Sequence, residues 1–158
     1  MNKKLHEVMV FLFFSVKHKS NLSKARYTKL VYLADWKMCQ RYGHPISNID
    51  WMFNHYGPYV EDVAELAKDS VDFELIVTRN VYGSLKEMIN FVGKAPDKFS
   101  LSYDETKTLS EVVQETDSMY FNEFIQHVYN TYPVKECGRY TIMNLPKLAQ
   151  KEARNVDF

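Results

Sequence analysis

Apolar residues recur at Leu5, Val8, Met9, Leu12 and Val16, three or four apart, which is the spacing of one helix face. Phe11, Phe13 and Phe14 widen that face until little of it is polar, so this first helix is expected inside a bundle. The stretch SNLS then breaks the pattern. Ser23 can accept from the orphan amides of a second helix, and Leu22 is placed to staple against Tyr27. That helix is predicted to run to about Tyr42 with Tyr27, Leu30, Val31, Ala34 and Met38 inward; Gly43 takes the left-handed exit and Pro45 blocks continuation.

The period then changes. Ile49, Trp51 and Phe53 alternate with Asp50, Met52 and Asn54, which predicts a short strand. Gly57 and Pro58 end it, with Pro58 expected in the first turn of a third helix and Glu61 and Asp62 near that helix's positive end. The helix buries Val60, Val63, Ala64 and Ala67 and stops near Ser70. FELIVTR and LKEMINFV flank NVYGS and predict a β-hairpin with Gly83 in the turn. Ser102 and Glu105 form a capping-box pattern ahead of Leu109, Val112 and Val113. Another helix is expected from about Ser118 to Tyr129, and Pro146 opens a last one through Ala153. The prediction is α+β: a compact bundle of about six helices with a small antiparallel three-stranded sheet, as a single domain over residues 1–158.

Composition changes this picture little; charge changes it more. Lys plus Arg equal Asp plus Glu, which argues against wholesale nucleic-acid binding. Yet residues 1–41 hold nine bases against two acids, and the compensating acids lie mostly in Glu61–Glu74 and Asp104–Glu123. The preferred reading is that these two regions offset each other in the fold; a polarised binding surface is the other. Cys39 and Cys137 stand alone, which fits a reduced, cytoplasmic protein without a disulfide framework or structural zinc. The basic, apolar N-terminus has the outline of a signal peptide, but its run ends at Lys17-His18-Lys19 rather than at small residues, and it is too short to span a bilayer.

Catalytic patterns are scarce. There is no HExxH, GxSxG, GxGxxG or Walker-type loop, so no metal and no cofactor is expected. Asp35 falls on a helix side between Val31 and Met38, where a structural hydrogen bond or ion pair is the preferred role over catalysis. His55 is a possible neighbour for it. His127 reads as a semi-buried histidine. Lys17, Lys19, Lys24, Arg26 and Lys29, with Tyr27 among them, are the best candidates for contacting nucleic acid, although a solvated helix end explains them as well.

The order of three motifs carries more information. Lys29, Leu30, Tyr32, Leu33 and Ala34 are followed by Tyr42, Gly43, Pro45 and Ile46, and then by Tyr56, Gly57, Pro58 and Val60. Together with Leu101, Ser102, Glu105 and Leu109, they resemble the Panacea domain, also described as the SocA-like antitoxin domain, over roughly residues 5–130. The resemblance implies a protein-binding module that neutralises a toxin encoded nearby through direct stoichiometric contact. Some members of the family occur in prophages, some carry an added DNA-binding segment, and one branch works as a proteolytic adaptor. Under this reading Trp51, His55, Tyr56 and Tyr59 border the partner surface on a rigid Gly57-Pro58 corner, and Lys24, Arg26 and Lys29 steer an acidic partner. Gly43, Pro45, Gly57, Pro58 and Asp35 hold the scaffold. The alternatives are a phage or regulatory nucleic-acid-associated protein, a proteolytic adaptor, or an enzyme whose pocket joins Asp35, His55 and tyrosines.

Overall fold

In the computed structural model, residues 1–156 are described. The Asn2 side chain accepts from the Leu5 amide and starts α1 (Lys3–Ser15). Leu5, Val8, Met9, Val10 and Leu12 are buried, whereas Phe14 is partly outside and rests edge-on against Phe91. A single tight turn at Lys19–Asn21 leads to Ser23, whose hydroxyl accepts from the Arg26 amide and caps α2 (Lys24–Tyr42). At the far end Gly43 adopts φ 82° and returns its amide to the Cys39 carbonyl, the predicted left-handed exit.

β1 (Met52–Asn54) turns back into β2 (Gly57–Pro58), pairing Phe53 with Pro58 and Asn54 with Gly57. Pro58 is therefore a strand residue and not the start of a helix. α3 (Asp62–Asp69) begins four residues later, with Asp62 and Glu65 in its first turn, where carboxylates favour the exposed amides. β3 (Phe73–Arg79) and β4 (Leu85–Phe91) form the predicted hairpin, in register from Phe73–Phe91 to Arg79–Leu85, with Gly83 at φ 82° in its turn.

α4 (Tyr103–Thr116) opens on the full capping box: Glu105 N–H donates to the Ser102 hydroxyl, and Ser102 N–H donates to the Glu105 carboxylate. α5 (Phe121–Tyr129) starts three residues later than its sequence suggests. Three elements were not foreseen as placed: a short helix α6 (Tyr132–Glu136), a strand β5 (Thr141–Ile142), and the full length of α7 (Leu145–Val156), which runs beyond Ala153.

The architecture is α+β, with seven α-helices and two antiparallel sheets among the described residues. The three predicted strands do not share one sheet. β1 lies between β2 and β5, while β3 and β4 pair with each other, and β4 also meets the chain just ahead of α2, where Met88 bridges Ser23 and the Ile89 amide donates to the Leu22 carbonyl. α2 runs through the centre, packed by α3, α4, α5 and α7. Thirteen of its nineteen residues are buried, so it has no solvated face wide enough to serve as a basic surface.

Candidate functional site

The expected corner is a β-hairpin tip. Gly57 sits at φ 97°, a conformation that side chains disfavour, and this lets residues 54–57 reverse within two residues. His55 and Tyr56 project from the tip, packed edge to face at 4.5 Å between ring centroids. Tyr56 is 74% exposed. The tip is held from the C-terminal side. Thr141 and Ile142 of β5 pair with Phe53 and Met52, the Arg139 side chain donates to the His55 carbonyl at 3.2 Å, and His55 Nδ1 lies 3.3 Å from the Tyr140 hydroxyl.

Below the tip, two grooves meet. One, of about 310 Å³, is bordered by Lys24, His55, Tyr59 and Glu61; the other, of about 380 Å³, is bordered by Phe121, Ile125 and Tyr129 of α5. Ala25, Lys29 and Tyr56 line both. The Lys29 side chain is buried, with its ammonium over the Tyr59 ring at 5.5 Å from the centroid. Burial brings its pKa down to about 8. Tyr59 keeps a buried hydroxyl that has no hydrogen-bond partner among the described residues.

Several residues expected on the binding surface lie elsewhere. Trp51 is 1% exposed, edge-on to Tyr32, with its indole N–H donating to Asp35; it is a core residue and not a surface anchor. Arg26 is buried as well. Its guanidinium donates to the carbonyls of Thr116 at 2.8 Å and Met119 at 2.9 Å, closing the C-terminal end of α4, and stacks over Phe124. Lys29 is not a free steering charge, because nearly all of it is covered. Lys24 is half-buried and pairs with Glu87 at 3.2 Å. His55, Tyr56 and Tyr59 remain together around the grooves.

Asp35 is fully buried and has a scaffold role. It accepts from the amides of Ile46 and Ser47, from the Ser47 hydroxyl and from Trp51, which fixes the chain just after Gly43 and Pro45. Burial pushes its carboxyl up to about 6 against the opposite pull of these four donors. Asp35 and His55 assemble no common pocket: one is enclosed by Ser47 and Trp51, the other stands at the hairpin tip.

The charge asymmetry is offset in part by ion pairs within the fold. Lys4 of α1 pairs with Glu105, and Lys37 and Arg41 of α2 pair with Glu115 and Glu111, so bases of the first two helices face the acids of α4. Lys19 turns back onto the carbonyls of Phe13 and Val16. Of what reads as a basic cluster, Lys19, Lys24, Arg26 and Lys29 are thus engaged or covered by separate contacts, and Lys17 stays exposed. Among the described residues no helix is long and apolar enough to cross a membrane, and no group of three His, Cys, Asp or Glu side chains could hold a metal.

The profile of the family described as "Antitoxin SocA-like, Panacea domain" matches residues 28–133, which run from α2 through the hairpin corner to the start of α6. The chain belongs to that family. The Panacea match includes Lys29, the Gly57-Pro58 corner and α5, and so takes in most of the groove walls, but it ends before Arg139, Tyr140 and β5. No curated protein and no solved structure matches this chain. Sequence reasoning had no signal for the contribution of α5, because Phe121 and Ile125 fit a buried helix stripe equally well. Phe121 is in fact 47% exposed.

Proposed function

We propose that this Panacea-family chain is the neutralising half of a toxin–antitoxin pair, acting in the cytoplasm by stoichiometric contact with a co-encoded protein. The partner seats across the joined grooves, with Tyr56 and Phe121 as ring anchors and His55 and Tyr59 beside them. The observation that carries this reading is the exposure of Tyr56 and Phe121 on either side of one apolar groove, on a tip held by β5 and Arg139. Aromatic side chains on a rigid support lose little freedom on binding and dominate interface energetics. Family membership supports an antitoxin role and a protein partner in general terms.

The test is co-expression with each adjacent reading frame that is toxic alone. The native chain should restore growth and co-purify with the toxic product. Tyr56→Ala combined with Phe121→Ala should abolish both while leaving thermal unfolding nearly unchanged. Full rescue by a stable double variant removes the groove from the role, and absence of any neutralised product removes the antitoxin reading.

A further inference from the structure

Lys29 is the one fully buried lysine among the described residues, and it has neither an ion pair nor a hydrogen bond there. An ammonium held out of water without a counter-ion is costly, and the fold does nothing to relieve it except place the Tyr59 ring beneath. The glycine at position 57 keeps this space open. A Cβ there would lie 3.8 Å from Lys29 Cε and 3.6 Å from Tyr129 Cζ. The Tyr59 hydroxyl, near the Lys24 ammonium but with no acceptor for its own proton, is a second donor bordering the same groove. Two donors without acceptors therefore lie where two surface grooves join.

The surroundings narrow what could complete them. Lys24 is already neutralised by Glu87, and Glu61 adds a negative charge on the rim, so Lys29 is the single cation there without a paired carboxylate and a phosphate dianion is disfavoured more than a monovalent anion. The α5 side is walled by Tyr56, Phe121, Ile125 and Tyr129, which accept an apolar side chain. Because the grooves continue past Lys29 on both sides, a chain can run through instead of ending there.

We propose that Lys29 is the receptor for an acidic side chain of the bound protein, an Asp or Glu within an extended segment whose neighbouring apolar residue lies between Tyr56 and Ile125. This rests on the toxin-binding reading and names the chemistry its groove selects. The carboxylate supplies the missing counter-ion and an acceptor for Tyr59, and holds the proton on Lys29. The groups that face the ammonium are Lys24 on its own helix, His55 and Tyr56 on the tip, Tyr59 and Glu61 ahead of α3, and Tyr129 on α5.

The experiment uses the full chain with ¹³Cε-labelled lysine, followed by NMR between pH 7 and 10. The probes are the blocked tripeptide acetyl-Phe-Asp-Leu-amide, its Asn counterpart, acetyl-Phe-Leu with a free carboxyl terminus, and inorganic phosphate. The Asp peptide should bind about tenfold more tightly than the Asn peptide at pH 7 and move the Lys29 titration upward. That preference should fade as pH rises past 8, where free Lys29 loses its proton, and should vanish in Lys29→Met. Equal binding of the Asp and Asn peptides, an unmoved Lys29 resonance, or tighter binding of the free carboxyl terminus or phosphate overturns the assignment. Toxin rescue that persists undiminished in Lys29→Met overturns it too while leaving the antitoxin reading intact. The Asp preference without any neutralised toxin would do the reverse.

Discussion

The indole N–H of Trp51 donates to the Asp35 carboxylate at 2.8 Å, tying the residue that enters β1 to the middle of the central helix. The two are sixteen residues apart, and the loop between them is fastened to the same carboxylate at Ile46 and Ser47. One acid therefore fastens the base of the hairpin to the central helix, while β5 and Arg139 hold its tip.

Asp35→Asn should destabilise the protein by about 2–4 kcal/mol in urea unfolding, because an amide turns an NH₂ group toward donors that need an acceptor. Trp51→Phe puts a smaller aromatic ring in the same place and removes one of four donors while leaving the acceptor intact, so its loss, packing included, should be smaller, about 1–2 kcal/mol. Similar losses from the two variants would mean that the carboxylate is not what gathers this loop.

Lys29 makes stability depend on pH with a definite sign. Its folded pKa of about 8 lies below the usual 10.5. Under pH 8 both states hold the proton and the full burial penalty stands. Between about 8 and 10.5 the unfolded chain binds more protons than the native one, so this residue's contribution makes stability rise with pH. The separation caps the effect at roughly 3 kcal/mol. Lys29→Met should be more stable than the native chain at pH 7, and its advantage should disappear by about pH 10.5. A constant difference across that range would show that Lys29 is charged and solvated in the folded protein.

Arg26 and Lys24 are near neighbours on α2 with opposite expected behaviour. Arg26→Met leaves the buried Thr116 carbonyl with only the Met119 amide and takes the donor from the half-buried Met119 carbonyl, and should lose about 1–3 kcal/mol in thermal or urea unfolding. Lys24→Met breaks a pair that solvent already screens and should change stability by less than about 1 kcal/mol. Comparable losses would put Arg26 at the surface after all.

Gly57→Ala tests the corner. The added methyl group meets Tyr129 and Lys29 only at ordinary contact distances, so strain comes from the backbone at φ 97°. The expected loss is about 1–2 kcal/mol, with the helical circular dichroism unchanged. A much larger loss would mean that the groove floor has no room for a methyl.

Helix ends were legible because their chemistry is local. Ser23, Gly43 and the Ser102–Glu105 box each act within four residues, and each appears as expected. Long-range partners left no such mark. Nothing near Arg26 in sequence announces carbonyls ninety residues away, and nothing near Lys29 announces a cover formed by Tyr59 and α5. A stripe of Tyr27, Leu30, Val31, Ala34 and Met38 implied a helix wet on its other side, and the burial of α2 almost all round defeats that inference. Two-residue strands such as β5 carry too little alternation to be seen at all.

The clasp of β5, Arg139 and Tyr140 on the hairpin lies outside the segment shared with the family. Relatives that keep residues equivalent to 28–133 but differ afterwards would display the same rings at another angle. Changes at Thr141 or Ile142 would re-aim Tyr56 without touching it, so the proposed partner surface can be retuned from positions that line neither groove.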